Sequence, residues 1–206
     1  MNDLFAISPN VIEWMKQNVD RSLKVIELGG GRGTKRLQRY FKNSLTIESE
    51  PQWVGFLLKQ SCAVLHKPLV DEWYEVDNEL LEELRTADVV IIDGPIGYLR
   101  NNVARHMDEF KDGALLIIDD TQRVKTKQLT NGLEVVAIVT DRKRTTHICR
   151  KHADNSPEVK AQPVAKKKRR KRSTKVVSKH KVEEVQTLVL DTTPDLRDVQ
   201  ESGEHS

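Results

Sequence analysis

The chain has little cysteine: Cys62 and Cys149 are the only two in 206 residues. Two thiols so far apart in sequence exclude a disulfide framework or a clustered zinc site, and they point to a reducing compartment such as the cytoplasm. Both thiols are expected to be buried. Long apolar runs are missing as well. No stretch approaches the ~20 residues that cross a bilayer. Met1 to Pro9 also lack the basic region and apolar stretch of a leader, so neither secretion nor a membrane span is expected. The net charge is only +3, and the basic excess lies wholly beyond residue 152. No repeat with a period of about 20 to 50 residues occurs, which excludes solenoids.

What is present is an alternation of short apolar runs and helical patterns. Ser8-Pro9 supplies a capping hydroxyl and a proline at the first helical position, followed by Val11, Ile12, Met15 and Val19 at helical spacing. Lys24 to Leu28 reads as a strand closed by glycines, and Thr34 to Phe41 as a helix. Leu45 to Ile47, Ala63 to Leu65, Asp88 to Asp93 and Ala114 to Ile118 are further candidate strands. Gln52 to Gln60, Asn78 to Arg85, Asn101 to Phe110 and Gln122 to Thr130 are the helices between and after them. The almost wholly apolar run Asp88 to Asp93 suits a central strand covered on both faces. Leu133 to Val139 and Thr145 to Cys149 read as a closing hairpin. The expected fold is α/β, a doubly wound and mostly parallel seven-stranded sheet of Rossmann-like type with a C-terminal antiparallel hairpin, filling residues 1–152. Residues 153–206 lose the apolar pattern and are expected to form a disordered charged tail.

A glycine-rich turn between strand and helix lets the backbone approach a nucleotide-like ligand and permits positive φ. Gly29, Gly31 and Gly33 recur at alternate positions ahead of Thr34, without the further glycine that G-x-G-x-x-G demands, so S-adenosylmethionine (SAM) suits the turn better than NAD. Glu27, at the strand end, is placed to meet the ligand's ammonium group. Glu48 lies 21 residues further on at the end of the second strand, where a carboxylate accepts ribose hydroxyls, with Glu50 as its near competitor.

Four segments in order carry a resemblance: Glu27-x-Gly29-x-Gly31-x-x-Thr34, Ile47 to Trp53, Ile92-Asp93-Gly94-Pro95-x-Gly97, and Ile118-Asp119-Asp120-Thr121-x-Arg123. Together they resemble small class I methyltransferases, similar to the plant glucuronoxylan O-methyltransferases and to bacterial methyltransferases associated with glycosyltransferases. The likeness spans roughly Leu23 to Arg123 and departs from the common pattern at Gly33, where serine is frequent. It implies SAM-dependent methyl transfer, with Glu48 on the ribose and Trp53 packed near the cofactor.

Asp93, Asp119 and Asp120 close the fourth and fifth strands, at the edge where ligands sit in parallel sheets. They are the candidate catalytic carboxylates, and Asp93 also borders the cofactor. They form a candidate site for Mg²⁺ or another divalent cation, which favours oxygen ligands and would acidify an acceptor hydroxyl. The arrangement resembles that of catechol-type O-methyltransferases, although Asp120 stands where those have asparagine. The other reading is an N-cap at Asp120 and a metal-free general base. Tyr98 and Arg123 are the candidate substrate contacts, with Arg100 and Arg105 as further anion binders. His106 reads as a base or a packing residue, and Trp73 and Tyr74 as an adenine platform or core.

The expected acceptor is a hydroxyl of a sugar or other small molecule. Two rivals remain: a nucleic-acid methyltransferase, and a non-catalytic SAM-binding module that recruits partners. The first is motivated by the run Lys166 to Arg172, which suits phosphate backbones or another anionic partner, a nuclear import signal in a eukaryotic host, or simple solubilisation.

Overall fold

The computed structural model describes residues 7–141 and 144–152. The proposed tail, with its basic run 166–172, therefore lies outside the described residues. Helix α1 (Pro9–Asn18) starts where Ser8 accepts from the Asn10 N–H at 3.2 Å. It leads to β1 (Val25–Leu28), α2 (Thr34–Tyr40), β2 (Ser44–Glu48), α3 (Pro51–Lys59) and β3 (Val64–His66). A two-stranded ribbon, β4 (Leu69–Val70) with β5 (Trp73–Tyr74), precedes α4 (Asn78–Thr86). Then come β6 (Val89–Ile92), a 3₁₀ helix over Gly97–Glu109, β7 (Leu115–Ile118), α5 (Val124–Lys127) and the 3₁₀ turn Gln128–Thr130. The last two elements are β8 (Glu134–Asp141) and β9 (Arg144–Arg150).

The seven-stranded sheet has the order β3-β2-β1-β6-β7-β9-β8. Its first five strands pair in parallel, and β9 inserts antiparallel between β7 and β8. The apolar strands alternate between two cores. Ile26, Leu28, Val90, Ile92, Leu116 and Ile118 face Leu80 and Leu84 of α4 and Val103 of the 3₁₀ helix. Val25, Val89, Ile91 and Ile117 face Val11, Ile12 and Met15 of α1 with Leu37 of α2. Burial on both faces is why β1 and β6 are apolar at almost every position.

Three expectations need correction. The helix expected from Asn101 to Phe110 is a 3₁₀ helix that starts four residues earlier, at Gly97. Arg100, Val103 and His106 recur every third residue, the period of the tighter helix, so the first two are buried and the third stacks on Trp73 at 5.5 Å. The helix expected from Gln122 to Thr130 shrinks to α5 and its 3₁₀ turn. The ribbon β4–β5 was not expected. Asp71 and Glu72 both take positive φ, 49° and 66°, as the two central residues of a tight hairpin turn must.

Candidate functional site

The order of the sheet reverses between β1 and β6, so the carboxyl ends of β1, β2, β6 and β7 border one crevice. Gly29 leaves β1 at φ +91°, and a Cβ there would stand 2.6 Å from the Gly94 backbone. The turns after β1 and β6 thus touch backbone to backbone. A Cβ on Gly30 would stand 2.5 Å from Leu57 Cδ1 of α3. The demand for glycine therefore falls on Gly29, Gly30 and Gly94; Gly33 sits at an ordinary helical φ of −78°.

Glu27 is buried, with one oxygen accepting from Thr34 Oγ1 at 2.7 Å and Thr46 Oγ1 at 2.8 Å. Thr34 Oγ1 in turn accepts the Gly31 N–H at 2.9 Å, so the acid anchors the turn from below. Burial raises the Glu27 pKa to about 7 against the pull of the two threonines, and the Glu48 charge adds to the rise. The unfolded chain titrates near the ordinary 4.5, so between these values the folded chain holds an extra proton and loses stability as pH rises. Glu27→Gln should abolish that slope and gain on the wild type by about 3 kcal/mol across the window. Urea unfolding at a series of pH values tests this, and parallel stability curves for the two proteins would refute it.

Glu48 is buried at the end of β2 and spans the crevice. Its Oε2 accepts the Gly30 N–H at 2.7 Å, while Oε1 accepts the N–H groups of Ser49 and Glu50 at 2.7 and 2.8 Å. The Ser49 hydroxyl adds a longer contact to Oε1 at 3.5 Å, so the loop after β2 and the glycine turn both close on this carboxylate. Glu50 caps α3 without a side-chain bond, so the choice between the two glutamates falls on Glu48. Trp53 is half-buried on α3, edge-on to Phe56 at 5.3 Å.

Sequence reasoning left Tyr74 undecided between adenine platform and core. The structure makes it a fully buried side chain whose hydroxyl lies 2.5 Å from where a Gly94 Cβ would be, and that hydroxyl has no hydrogen-bond partner among the described residues. Burial raises its pKa well above the ordinary value, and the charges of Glu48 and Asp93 reinforce the rise. Trp73 Nε1 beside it is equally unpartnered. Buried polar atoms without partners are rare, and they mark places where a ligand or water completes the site.

The three aspartates do come together, but around arginines. Arg100 is buried; it donates to the carbonyl of Asp93, to Asp93 Oδ1 at 3.0 Å and to the carbonyl of Asp119 at 3.2 Å, and it pairs with Asp120 Oδ2 at 3.1 Å. Arg144, from the start of β9, pairs with Asp119 Oδ2 and lies 3.9 Å from Asp93 Oδ1 and 3.7 Å from Asp120 Oδ1. Thr146 Oγ1 donates to the other Asp119 oxygen at 2.6 Å. The expected divalent cation does not fit, because Arg100 and Arg144 already pair with all three carboxylates. Among the described residues no group of three His, Cys, Asp or Glu side chains is placed to hold a metal ion.

The environments of the acids differ. Asp119 has a fully buried side chain, while those of Asp120 and Asp93 are 12% and 16% exposed. Burial and the charge of Asp119 raise the Asp93 pKa well above the carboxylate range, against the pull of Arg100 and Arg144. Burial also acts to raise Asp120, but Gln122 and the guanidiniums of Arg100, Arg123 and Arg144 hold it below its ordinary value. Asp120 takes a left-handed φ of 60°, a conformation asparagine and aspartate tolerate best. Arg123 reaches Asp120 at 3.3 Å from a half-exposed position, and Tyr98 is 70% exposed at the rim. His106 packs against Trp73, outside this cluster.

No family model and no curated protein sequence matches the chain. Solved structures do. A protein of unknown function from Deinococcus radiodurans R1 superposes with a TM-score of 0.52 at 11% identity, covering 71% of this chain and 89% of the other. A predicted O-methyltransferase from Agrobacterium tumefaciens gives 0.51 at 13% identity, with coverages of 70% and 82%. A 1,6-didemethyltoxoflavin-N1-methyltransferase from Burkholderia thailandensis, solved with its namesake compound and S-adenosylhomocysteine bound, gives 0.50 at 13% identity, with coverages of 70% and 78%. At such identities the likeness is one of fold alone.

Proposed function

We propose that the chain is a SAM-dependent methyltransferase whose cofactor lies across the crevice between the turns after β1, β2 and β6. The observation that carries this reading is the Tyr74 hydroxyl, buried beside Gly94 within range of the Glu48 and Asp93 charges and without a hydrogen-bond partner among the described residues. In this reading Gly29, Gly31, Gly33 and Thr34 form the turn that cradles the ligand, with Glu27 fixing it from below. Glu48 takes a ribose hydroxyl, Trp53 packs beside the cofactor, and Asp93 borders its reactive end. When bound, SAM supplies an electrophilic methyl group on a sulfonium sulfur.

The acceptor is a hydroxyl of a sugar or another small molecule, approached from the rim where Tyr98 and Arg123 stand. Asp93 keeps some side-chain exposure and its proton affinity is raised by burial and by the Asp119 charge, the properties of a general base. Asp93 would accept the proton of the acceptor hydroxyl when bound SAM supplies the methyl group. Arg100, Arg144, Asp119 and Asp120 hold Asp93 in place, and the chemistry needs no metal.

Tyr74→Phe tests the reading with two effects of opposite sign. Removing a buried unpartnered hydroxyl should stabilise the ligand-free protein by about 1 kcal/mol. The same change should weaken S-adenosylhomocysteine binding about tenfold, one lost hydrogen bond being worth roughly 1.4 kcal/mol. Thermal unfolding and calorimetry read the two quantities. No detectable binding to the wild type, or unchanged affinity in the variant, would remove the proposal.

A further inference from the structure

The crevice lies at the carboxyl edge of the sheet, whereas the densest positive charge of the described residues lies on its flank. Between Glu27 and Glu48 the sequence contains Arg32, Lys35, Arg36, Arg39 and Lys42 and no Asp or Glu. Arg36 pairs with Glu13 at 3.0 Å. Arg32, Lys35, Arg39 and Lys42 form no ion pair among the described residues.

Lys35, Arg39 and Lys42 line a cleft of about 400 Å³ between α2 and the β2–β3 edge, faced by Ser44, Gln60 and Ser61. The cleft is built, because its base is tied together. Gln38 Nε2 donates to Thr46 Oγ1 at 3.0 Å and to the Ala63 carbonyl at 2.8 Å, and Gln38 Oε1 accepts the Ala63 N–H at 2.8 Å. Ser61 is held at φ 59° while the following Cys62 N–H closes α3 on the Leu57 carbonyl at 3.1 Å.

We propose that this cleft docks the phosphate backbone of a nucleic acid. Lys35 and Arg39 are one helical turn apart, a rise of about 6 Å. A duplex carries a charge every ~1.7 Å of its axis, so each cation has a phosphate in reach at any register. No aromatic side chain lines the cleft, so bases are not stacked there and recognition is independent of sequence. A bilayer, being flat, would meet only the rim of the concavity. The cleft lies by the first residues of β2 and β3, about 13 Å along the strand from Glu48. It therefore tethers a polyanion instead of presenting it for reaction, and this inference does not depend on the methyl-transfer reading.

The test is fluorescence anisotropy of the full chain with labelled duplex and single-stranded RNA and DNA of mixed sequence, titrated over a range of salt. Lys35→Glu, Arg39→Glu and Lys42→Glu together should lower affinity at least about tenfold at low salt and reduce the log–log salt slope by about 0.9 per lost duplex contact. Because the run Lys166 to Arg172 is a second polycation, a full-length variant with those seven residues changed to Gln is measured alongside. It should keep the cleft's share of the binding, and combining the two sets should abolish it. Thermal unfolding confirms that the cleft variant is folded, and the corresponding Gln set replaces it if it is not. The proposal falls if the cleft variants bind as the wild type does, if all binding vanishes with the 166–172 run, or if the wild type binds phosphatidylserine vesicles and no nucleic acid.

Discussion

Arg100→Met should cost about 3 to 5 kcal/mol of stability at neutral pH, the usual penalty for leaving buried charges without their partner. Methionine restores most of the volume, so the loss reports charge and hydrogen bonding more than a cavity. Arg100 ties together the ends of β6 and β7 through Asp93, the Asp119 carbonyl and Asp120. The sign of the pH dependence follows from the two acids. Asp93 is already raised by burial and by Asp119, and losing Arg100 raises it further, so the folded variant holds a proton to higher pH and its stability declines over a wider range. Asp120 is held below its ordinary value partly by Arg100, and the stability this confers is present above the unfolded pKa and lost as pH falls through the folded one. The Asp93 effect makes the variant's deficit larger at pH 8 than at pH 5, whereas the Asp120 effect is complete at both values and shows only in acid. Urea unfolding at the two values decides the matter, and an equal deficit at both would contradict the pairing described. Arg123 bonds the same Asp120 from a half-exposed position, so Arg123→Ala should shift stability by no more than about 0.5 kcal/mol.

The elements that could be read from sequence are those whose burial leaves a periodic trace. The strands β1, β6 and β7 are apolar at nearly every position because both their faces are covered, and the order of units around them follows from that. Glu48 was legible as the acid ending β2. Its capture of the Gly30 N–H was not, since that depends on how closely two parallel strands end beside each other. The ribbon β4–β5 left little signal because Asp71-Glu72 lacks the glycine that advertises such a turn. Tyr74 could not be assigned without it.

Arg144 falls between the two strands of the expected hairpin, where nothing in the sequence marks its role. Its partner Asp119 lies 25 residues earlier, and the two meet because the antiparallel register sets Ile118 against His147 and so brings the first residues of β9 to the end of β7. A sequence shows three acids near strand ends. It does not show that two arginines, one from a 3₁₀ helix and one from a hairpin, arrive to neutralise them, and on that difference the expectation of a divalent cation turned.

Gly29→Ala should be about as damaging as the loss of Arg100, by a different route. An alanine at φ +91° pays about 1 to 2 kcal/mol for its backbone conformation alone. Its Cβ would also stand 2.6 Å from Gly94 Cα and N, atoms that cannot swing aside as the end of a side chain can, so overpacking adds about 1 to 3 kcal/mol. Gly94→Ala would press on the same contact from the other side and on the Tyr74 hydroxyl at 2.5 Å. The double variant should therefore fall short of the sum of the two single losses, because one displacement of the β1 and β6 turns relieves both clashes. Gly55 provides the contrast. It lies inside α3, a Cβ there would meet nothing within 4 Å, and Gly55→Ala should stabilise the protein by about 0.5 to 1 kcal/mol. Thermal and urea unfolding of the four variants measure these quantities. Additive losses at Gly29 and Gly94, or a loss at Gly29 no larger than the change at Gly55, would mean that the two turns do not touch. The crevice would then lack the closed floor on which the placement of the cofactor depends.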